Sequence, residues 1–295
     1  MAVVGPTAAG KSDLGIALAR EIGGEVVNAD SMQLYRGMDI GTAKLTDAER
    51  RGVPHHLLDV WDVRQPATVA AYQQLCRTVL DELLAKGVTP VLVGGSGLYL
   101  RAALDNLAFP GTDPALRARL EVELAAHGAG PLHARLASLD AAAADRMQPT
   151  NGRRVVRALE VVLLTGSMPG AMTSYDAVYD AAWLGVDRDD LPERIGSRVD
   201  RMWEAGLVQE VAMLEGLREG TTARRALGYA QVLAMLDGEF DERAARERTV
   251  SATRRFARRQ RSWFRRDPRI SWLAEPTLGQ AMSALGARDG AGPGA

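Results

Sequence analysis

The stretch GPTAAGKS at residues 5–12 most constrains what this chain can fold into. It matches the pattern G-x-x-x-x-G-K-[ST], with a short apolar run, AVV, before it and a stretch of helical periodicity, SDLGIALAREIG, after it. A glycine-rich turn in that context points backbone N–H groups and the positive end of a helix at phosphate oxygens. Lysine stands only at positions 11, 44 and 86, so chance is a poor explanation for a lysine at this spacing. The predicted phosphate-binding residues are Gly5, Pro6, Thr7, Ala8, Ala9, Gly10, Lys11 and Ser12, with the Ser12 hydroxyl on a phosphate oxygen or on Mg²⁺.

Strand-like and helical segments alternate through the first third of the chain. EVVNADS and TPVLVGGSGLYL begin as apolar strands and end in polar residues or glycines, and helical periodicity from Val69 runs to a stop at Gly87. Strands separated by helices pair in parallel through right-handed crossovers. We therefore predict an α/β fold with a P-loop doubly wound parallel sheet as its core, and ligands bound where the carboxyl ends of the strands open.

The pattern changes between residues 112 and 182, where RARLEVELAAHG, PLHARLASLDAAAADRM and NGRRVVRALEVVLLTG are helical, with no strand between them. This predicts an all-helical domain inserted into the core. The core is then predicted to comprise residues 1–111 and 183–275, the second part starting with the strand-like AAWLGVD and ending in a helical, basic C-terminal region. The Gly-rich end, 276–295, is predicted to be a disordered tail.

Composition excludes several classes of protein. With 46% hydrophobic and 25% charged residues among 295, the chain is typical of a globular protein with a sizeable core. The one cysteine, Cys76, excludes a disulfide framework and falls on an apolar helix face, which favours a core role over a nucleophile. No apolar run is long enough to span a bilayer and no signal peptide is evident, so we expect a cytoplasmic protein that does not bind membranes.

Asp30 and Ser96 lie where two predicted strands end. A carboxylate at the mouth of a strand can act as a general base or bind metal, but an Asp before a Ser also caps turns, and the local sequence leaves both interpretations open. Ser96 can contact a phosphate or a substrate amine, while the glycines around it are also typical of a tight turn. His55 and His56 have no acidic or cysteine partner at ligand spacing, which favours a structural role over a metal site.

Residues 253–266, TRRFARRQRSWFRR, hold seven arginines and no acid, although the formal net charge of the chain is −1. A stripe of arginines backed by aromatic residues suits a polyphosphate backbone, and the missing acids argue against a merely solvated helix face. The segment therefore favours a nucleic-acid partner. Helical spacing places on one side Arg254, Arg258, Arg261 and Arg265, and on another Phe256, Gln260 and Trp263.

Seven motifs follow one another in the order GPTAAGKS, DSMQLYRGMDIGTAK, PHHLLD, GGSGLY, RRVVRALEV, RALGYAQ and RRFARRQRSWFR. In this order they resemble the bacterial tRNA dimethylallyltransferase family, the isopentenyl transferases of tRNA, from about residue 3 to residue 273. The resemblance implies an enzyme that moves a five-carbon prenyl group from dimethylallyl diphosphate to N6 of adenosine 37, beside the anticodon, in tRNAs that read codons beginning with U. Family members usually carry several residues before the first strand, so we expect either a misplaced start or a short strand here.

The resemblance implies that the loop at residues 5–12 binds the diphosphate of the prenyl donor. The loop N–H groups, Lys11 and Mg²⁺ would stabilise negative charge on the leaving diphosphate, and the family pattern places Arg225 at the same group. Asp30 would be the general base that takes a proton from the adenine amine. Thr7 and Ser96, where threonine is common in the family, would position the amine or the diphosphate.

The same resemblance implies that the partner is the anticodon stem-loop of tRNA, whose target base must be flipped out of its stack. The helical insertion and the arginine-rich C-terminal helix would grip the stem and loop, and we expect the enzyme to be a monomer. The implied tRNA-binding residues are Asp30, Ser31, Met32, Gln33, Ser96, Arg117, Arg153, Arg154, Val155, Val156 and Arg157. Family members commonly have glutamine at the position of Arg153.

Three other functions remain open at this point. A prenyltransferase acting on free adenine nucleotide shares the chemistry, although a small acceptor needs neither the insertion nor the basic C-terminal segment. A P-loop kinase of a small metabolite would consume ATP. A nucleic-acid-binding NTPase without group transfer would hydrolyse nucleotide when RNA is present.

Overall fold

The computed structural model describes residues 1–169 and 175–290. The strands found there are β1 Ala2–Val4, β2 Glu25–Asn28, β3 His55–His56, β4 Pro90–Gly94, β5 Trp183–Val186 and β6 Ile270–Leu273. All six pair in parallel in one sheet, in the order β3-β2-β4-β1-β5-β6. The phosphate loop therefore leaves a central strand, with the ends of β4 and β5 on either side of it.

The helices of the described residues follow in chain order, with a 3₁₀ turn at Ala223–Arg225. They are α1 Lys11–Ile22, α2 Val69–Ala85, α3 Gly97–Leu104, α4 Pro114–His127, α5 Ala129–Leu139, α6 Ala141–Asp145, α7 Gly152–Thr165, α8 Leu191–Glu204, α9 Leu207–Met213, α10 Tyr229–Leu236, α11 Glu242–Phe264 and α12 Leu278–Gly290. None of the helices in this part of the chain is long and apolar enough to cross a membrane.

Helices cover both faces of the sheet because its central strands are apolar on both sides. Every residue of β1 and β4 is buried, as parallel central strands require. One face packs against α2 and α3 through a cluster that includes Tyr72 and Leu100. The other packs against α1 and the start of α8 through Leu14 and Leu191. The predicted α/β core with a doubly wound parallel sheet is confirmed.

The chain divides into two compact units, Met1–Asp105 with Ala177–Ala295, and Asn106–Asp176. The smaller unit consists of α4 to α7 around its own core, which includes Leu132 and Leu159. The predicted insertion spanned residues 112–182, whereas the smaller unit begins and ends earlier. The reason is that Asp105 and Ala177 form a bridge within the larger unit, which places the chain after Asp176 in the core.

The C-terminal region differs from the sequence prediction. The disordered tail predicted for 276–295 is wrong for residues 278–290, which form α12, and residues 291–295 lie outside the described residues. β6 lies in a stretch predicted to be helical, but it pairs with β5 along four residues. In α12 Leu278, Ala281 and Leu285 pack against the α1 side of the core, so helical spacing of apolar residues outweighs the glycines around them.

Deleting residues 278–295 should lower the free energy of unfolding by about 2–4 kcal/mol, because the apolar face of α12 and the surface it covers would both be exposed. Urea unfolding monitored by circular dichroism would measure the change. Ser283→Ala, at an exposed position of α12, is the control and should leave the unfolding midpoint nearly unchanged. A midpoint for the deletion equal to that of the control would show that α12 adds nothing to the core.

Candidate functional site

The phosphate loop is fixed by a close approach between two strand ends. Gly5 has a φ of +144°, and a Cβ at this position would lie 2.0 Å from the carbonyl oxygen of Val186, at the end of β5. Only glycine fits this backbone position. Further along the loop Lys11 starts α1 and donates through Nζ to the carbonyl oxygen of Pro6 at 2.7 Å. The lysine therefore folds back over the loop that precedes it.

Gln260 of α11 connects the phosphate loop to the end of β4. Its side-chain oxygen accepts from the backbone N–H of Thr7 at 2.9 Å, and its amide nitrogen donates to the carbonyl oxygen of Gly95 at 2.9 Å. Gln260 is buried, and it satisfies one partly buried N–H and one buried carbonyl oxygen of the backbone. Sequence analysis placed Gln260 only on a helix side with aromatic residues, since nothing in the local pattern shows a partner 253 positions away.

Asp30 follows β2 and is held by Asn28. The buried Asn28 side chain accepts from the Asp30 N–H at 2.9 Å and donates to the Asp30 carbonyl oxygen at 3.0 Å. Asp30 in turn accepts through Oδ1 from the N–H of Met32 at 2.9 Å, which is the turn-capping geometry that its sequence allowed. No hydrogen bond to its Oδ2 is found among the described residues. One carboxylate oxygen therefore fixes the turn and the other is available to a ligand.

Two cavities of the larger unit meet at Asp30. The first contains Lys11, Ser12 and Gln33, and so joins the phosphate loop to the end of β2. The second, of about 330 Å³, contains Ser31, Ser96 and Arg225. The residues that line both cavities are Thr7, Asp30, Thr42 and Arg198. The apolar lining of the second cavity comes from Met32, Ile195, Val199, Met202, Leu227 and Phe256.

This arrangement brings together the residues predicted to be catalytic. Thr7 and Asp30 lie where the cavities meet, Lys11 lies on the phosphate side, and Ser96 and Arg225 lie on the apolar side. Arg225 is exposed and lines the second cavity together with Thr7 of the phosphate loop. Its chemistry suits a ligand that enters the second cavity.

Arg198 of α8 was missed by the sequence analysis, and it lies at the centre of the site. Its guanidinium donates to the Thr7 hydroxyl at 3.3 Å and to the carbonyl oxygen of Thr42 at 3.4 Å. Burial lowers the pKa of Arg198, while the nearby Asp30 carboxylate raises it. Its neighbour Arg194 donates to the carbonyl oxygen of Ala8 at 2.8 Å and so holds the phosphate loop from the same helix. The local sequence at residues 194–198, RIGSR, matches no motif that would have predicted these contacts.

Lys11 titrates in an environment that disfavours its charge. Burial and the positive charge of Arg198 lower the pKa of Lys11 to about 8, and Asp30 only partly opposes them. Two cations facing one carboxylate leave the first cavity with an excess of positive charge. A doubly charged anion beside the loop would relieve this excess, so the site is suited to a phosphate ester or a diphosphate.

In the smaller unit, two of the arginines predicted to bind tRNA, Arg117 and Arg157, lie beside a buried acid. Arg117 and Arg157 both donate to the buried carboxylate of Glu160, at 3.1 Å and 2.7 Å. Burial alone would raise the pKa of Glu160, but these arginines outweigh it and lower the pKa. Both arginine side chains stay about one-third exposed, at 37% and 33%. They are therefore structural residues that still present positive charge at the surface.

The RRVVR stretch divides into surface and core positions. Arg153 and Arg154 are exposed at the start of α7. Val155 and Val156 are buried in the core of the smaller unit, so their side chains do not lie at its surface. The helical period explains the difference, since adjacent residues of one helix point to different faces.

The arginine-rich segment forms the second half of α11 and the turn after it, and one acid balances part of its charge. Asp187, just after β5, accepts from Arg261 at 2.7 Å and from Arg265 at 3.3 Å. Arg254 donates to the carbonyl oxygen of Pro192 at 2.9 Å, and Arg258 is exposed. The segment itself contains no acid, and Asp187 lies 74 positions before Arg261. Sequence analysis of the segment alone therefore could not reveal this partner. The remaining exposed arginines still form a positive surface.

The contacts of His55, His56 and Cys76 are typical of structural roles. His56 contacts Glu25 at 2.6 Å, and His55 contacts the carbonyl oxygen of Val53 at 2.8 Å. Cys76 lies in the core, where burial raises the pKa of its thiol to about 11, so it is not a nucleophile at neutral pH. Within residues 1–169 and 175–290, no three His, Cys, Asp or Glu side chains are grouped to hold a metal ion.

The fold and the site define a P-loop α/β enzyme in which a phosphate loop and a carboxylate share one cavity. The model of the IPP transferase family matches residues 33–267, and the chain belongs to this family. It is 64% identical over 288 residues to the tRNA dimethylallyltransferase of a Parafrankia species, covering 97% of this chain and 91% of that protein. It is 66% identical over 283 residues to the tRNA dimethylallyltransferase of Streptomyces coelicolor, covering 93% and 89%.

Two solved structures share the fold over nearly the whole chain. The full-length tRNA isopentenylpyrophosphate transferase of Bacillus halodurans is 38% identical, with a TM-score of 0.71, covering 98% of this chain and 95% of that one. A eukaryotic dimethylallyltransferase, captured in snapshots acting on tRNA, is 26% identical, with a TM-score of 0.79, covering 98% of this chain and 76% of that one.

Gln260→Ala should lower the free energy of unfolding by about 1–3 kcal/mol, since it leaves a buried carbonyl oxygen and a partly buried N–H without a partner. Urea unfolding would measure the loss. Ser262→Ala, an exposed position on the same helix, is the control and should change stability little. An equally small effect at both positions would mean that Gln260 does not bridge the phosphate loop and β4.

Proposed function

We propose that this protein is a tRNA dimethylallyltransferase, which transfers a dimethylallyl group from dimethylallyl diphosphate to N6 of adenosine 37 of tRNA. Relatives more than 60% identical over almost the whole chain carry that name. The observation that carries the detailed proposal is the position of Asp30. Its carboxylate lies where a positively charged phosphate cavity meets a cavity with an apolar lining.

The donor would lie across that junction. Its diphosphate would accept from the N–H groups of the loop at residues 5–12, with Lys11 and Arg198 supplying positive charge. The prenyl group would then point into the second cavity, where Ile195 and Val199 are among the apolar residues. As the carbon–oxygen bond breaks, both electrons of the bond leave with the diphosphate. Lys11 and Arg198 stabilise that growing charge.

Asp30 would act on the acceptor amine. The lone pair of an adenine amino group is delocalised into the ring, so the amine becomes a good nucleophile only as it loses a proton. N6 forms its bond to the prenyl carbon while its proton passes to Asp30, which leaves a neutral prenylated adenine and the diphosphate. Thr7 and Ser96 line the second cavity beside Asp30 and would position the amine or the diphosphate.

A diphosphate substrate is consistent with a divalent metal, and we propose Mg²⁺. The Ser12 hydroxyl is exposed at the start of α1 and lines the first cavity with Asp30. Mg²⁺ is commonly held by one or two protein oxygens together with substrate phosphates, so the few oxygen ligands here fit the ion. When bound, it would add positive charge to the leaving diphosphate.

We propose that tRNA contacts both units through exposed arginines. In the smaller unit these are Arg153 and Arg154, together with the exposed parts of Arg117 and Arg157. In the larger unit, Arg225 and Arg259 line the second cavity, and Ser31, Met32 and Gln33 follow Asp30 into the two cavities. A flipped adenine entering the second cavity would contact Arg225, Arg259, Ser31 and Met32 before it reaches Asp30.

Transfer should require dimethylallyl diphosphate, Mg²⁺ and an unmodified tRNA with A36-A37-A38, and it should proceed without ATP. Mass spectrometry of the nucleosides would detect prenylated adenosine, and a tRNA with A37 changed to G is the matched control. Product formed only with ATP would indicate a kinase-type activity instead. Prenylation of free AMP in preference to tRNA would indicate the nucleotide prenyltransferase, and RNA-stimulated hydrolysis of ATP would indicate an NTPase.

Asp30→Asn should lower kcat by about 10²- to 10⁴-fold, because the amide cannot take the proton. The asparagine oxygen can still accept from the N–H of Met32, so the turn and the melting temperature should be retained. Single-turnover transfer at saturating substrates would measure the effect. A rate equal to that of the wild type would exclude Asp30 as the base.

Donor binding should weaken as the pH rises through about 8, the pKa of Lys11 in the free enzyme. The diphosphate binds the charged lysine more tightly than the neutral one, so affinity is full below this pKa and falls by up to about tenfold per pH unit above it. Isothermal titration calorimetry between pH 7 and 9.5 would measure it. Lys11→Arg stays charged throughout and corrects for titration of the ligand, so parallel curves for the two proteins would contradict the assignment.

A further inference from the structure

Glu210 of α9 binds a loop that forms part of the wall of both cavities. This loop, residues 38–44, carries Gly41 and Thr42 into the cavity lining. Glu210 accepts through Oε2 from the N–H of Asp39 at 3.1 Å and of Ile40 at 2.7 Å, and through Oε1 from the N–H of Gly41 at 3.2 Å. Three consecutive backbone donors therefore converge on one carboxylate.

Tyr229, the first residue of α10, completes this contact. Its hydroxyl donates to Oε1 of Glu210, and burial, together with the Glu210 charge, raises the pKa of Tyr229, so the hydroxyl stays protonated. Its ring also packs against the loop, since a Cβ on Gly41 would lie 2.3 Å from a Tyr229 ring carbon. A larger residue than glycine at 41 would push the loop away from α10.

The 38–44 loop also contacts Arg198 through the backbone of Thr42. The carbonyl oxygen of Thr42 accepts from Arg198 at 3.4 Å and from the Gln33 amide at 3.1 Å. Among the described residues, Arg198 has one other hydrogen-bond acceptor, the Thr7 hydroxyl at 3.3 Å. The direction in which this guanidinium points therefore depends on where the 38–44 loop places Thr42.

We propose that Glu210, together with Tyr229, is a positioning residue for prenyl transfer: by fixing the 38–44 loop, it makes the Thr42 carbonyl aim Arg198 at the leaving diphosphate. The inference rests on the proposed function for its reaction and on the hydrogen bonds for its geometry. A hydrophobic residue would suffice to fill space between α9 and the loop. A carboxylate with four donors instead fixes the backbone in one position, because charge-assisted hydrogen bonds are short and directional.

The kinetic test compares Glu210→Gln and Tyr229→Phe with Glu215→Gln, an exposed control in the turn after α9. We expect Glu210→Gln to lower kcat by about 10- to 100-fold, as misplacing a catalytic group by about 1 Å does. Tyr229→Phe should show a smaller loss and Glu215→Gln none. The KM for dimethylallyl diphosphate should rise less than kcat falls, because the charge that Arg198 stabilises grows in the transition state. Wild-type kcat in Glu210→Gln would overturn the proposal.

A second measurement separates positioning from general stability and does not depend on transfer. If Glu210 acts through Arg198, Glu210→Gln should weaken pyrophosphate binding in the wild-type protein but have little further effect in Arg198→Ala, where the guanidinium it positions is already absent. A merely structural effect would weaken binding equally in both backgrounds, and this result would also overturn the proposal.

Tyr229→Phe removes a single hydroxyl group, so it provides the same measurement if Glu210→Gln fails to fold. Failure of the wild-type protein to prenylate tRNA would count against the proposed function alone. Pyrophosphate binding in the wild-type and Arg198→Ala backgrounds would still decide whether Glu210 sets the position of Arg198.

Discussion

Two cations, Lys11 and Arg198, are held near a single carboxylate, Asp30, at the end of the central strands. Without a ligand this is an unfavourable arrangement, as the lowered pKa of Lys11 shows. An unrestrained cation here would move towards water or another carboxylate, so the protein has to hold both cations in place. Much of the architecture around the site holds these charges and the loops that carry them in place.

The supporting contacts come from rigid elements and end on backbone groups of loops. Gln260 in α11 and Arg194 in α8 hold the phosphate loop, Asn28 in β2 holds the turn at Asp30, and Glu210 in α9 holds the 38–44 loop. The helices after β5 therefore help to hold the loops that line the two cavities. Loops carry the candidate catalytic groups, and polar side chains from helices and strands fix the backbone of those loops.

The parts predicted from the sequence share one property: their signal is local. The phosphate loop is a contiguous motif between a strand and a helix, and Asp30 follows an apolar run directly. Arg198 and Gln260 gave no such signal, because a hydrogen bond between Thr7 and a residue 253 positions away leaves no periodicity to read. The tail was mispredicted for a related reason, since glycine content was weighed above the spacing of Leu278 and Leu285, whose partners lie in the N-terminal half of the core.

The arginines show how net charge can mislead about a partner. Each basic cluster covers an acid, Asp187 under Arg261 and Glu160 under Arg157, and of these two acids only Asp187 is distant in the sequence. The acids lie deeper than the guanidinium groups, at 17% and 0% exposure, so they orient the arginines without covering their outer faces. Such a surface stays positive towards a phosphate backbone while the whole chain remains near neutrality. Because the buried acids fix where each guanidinium lies, less side-chain entropy should be lost when a polyanion binds.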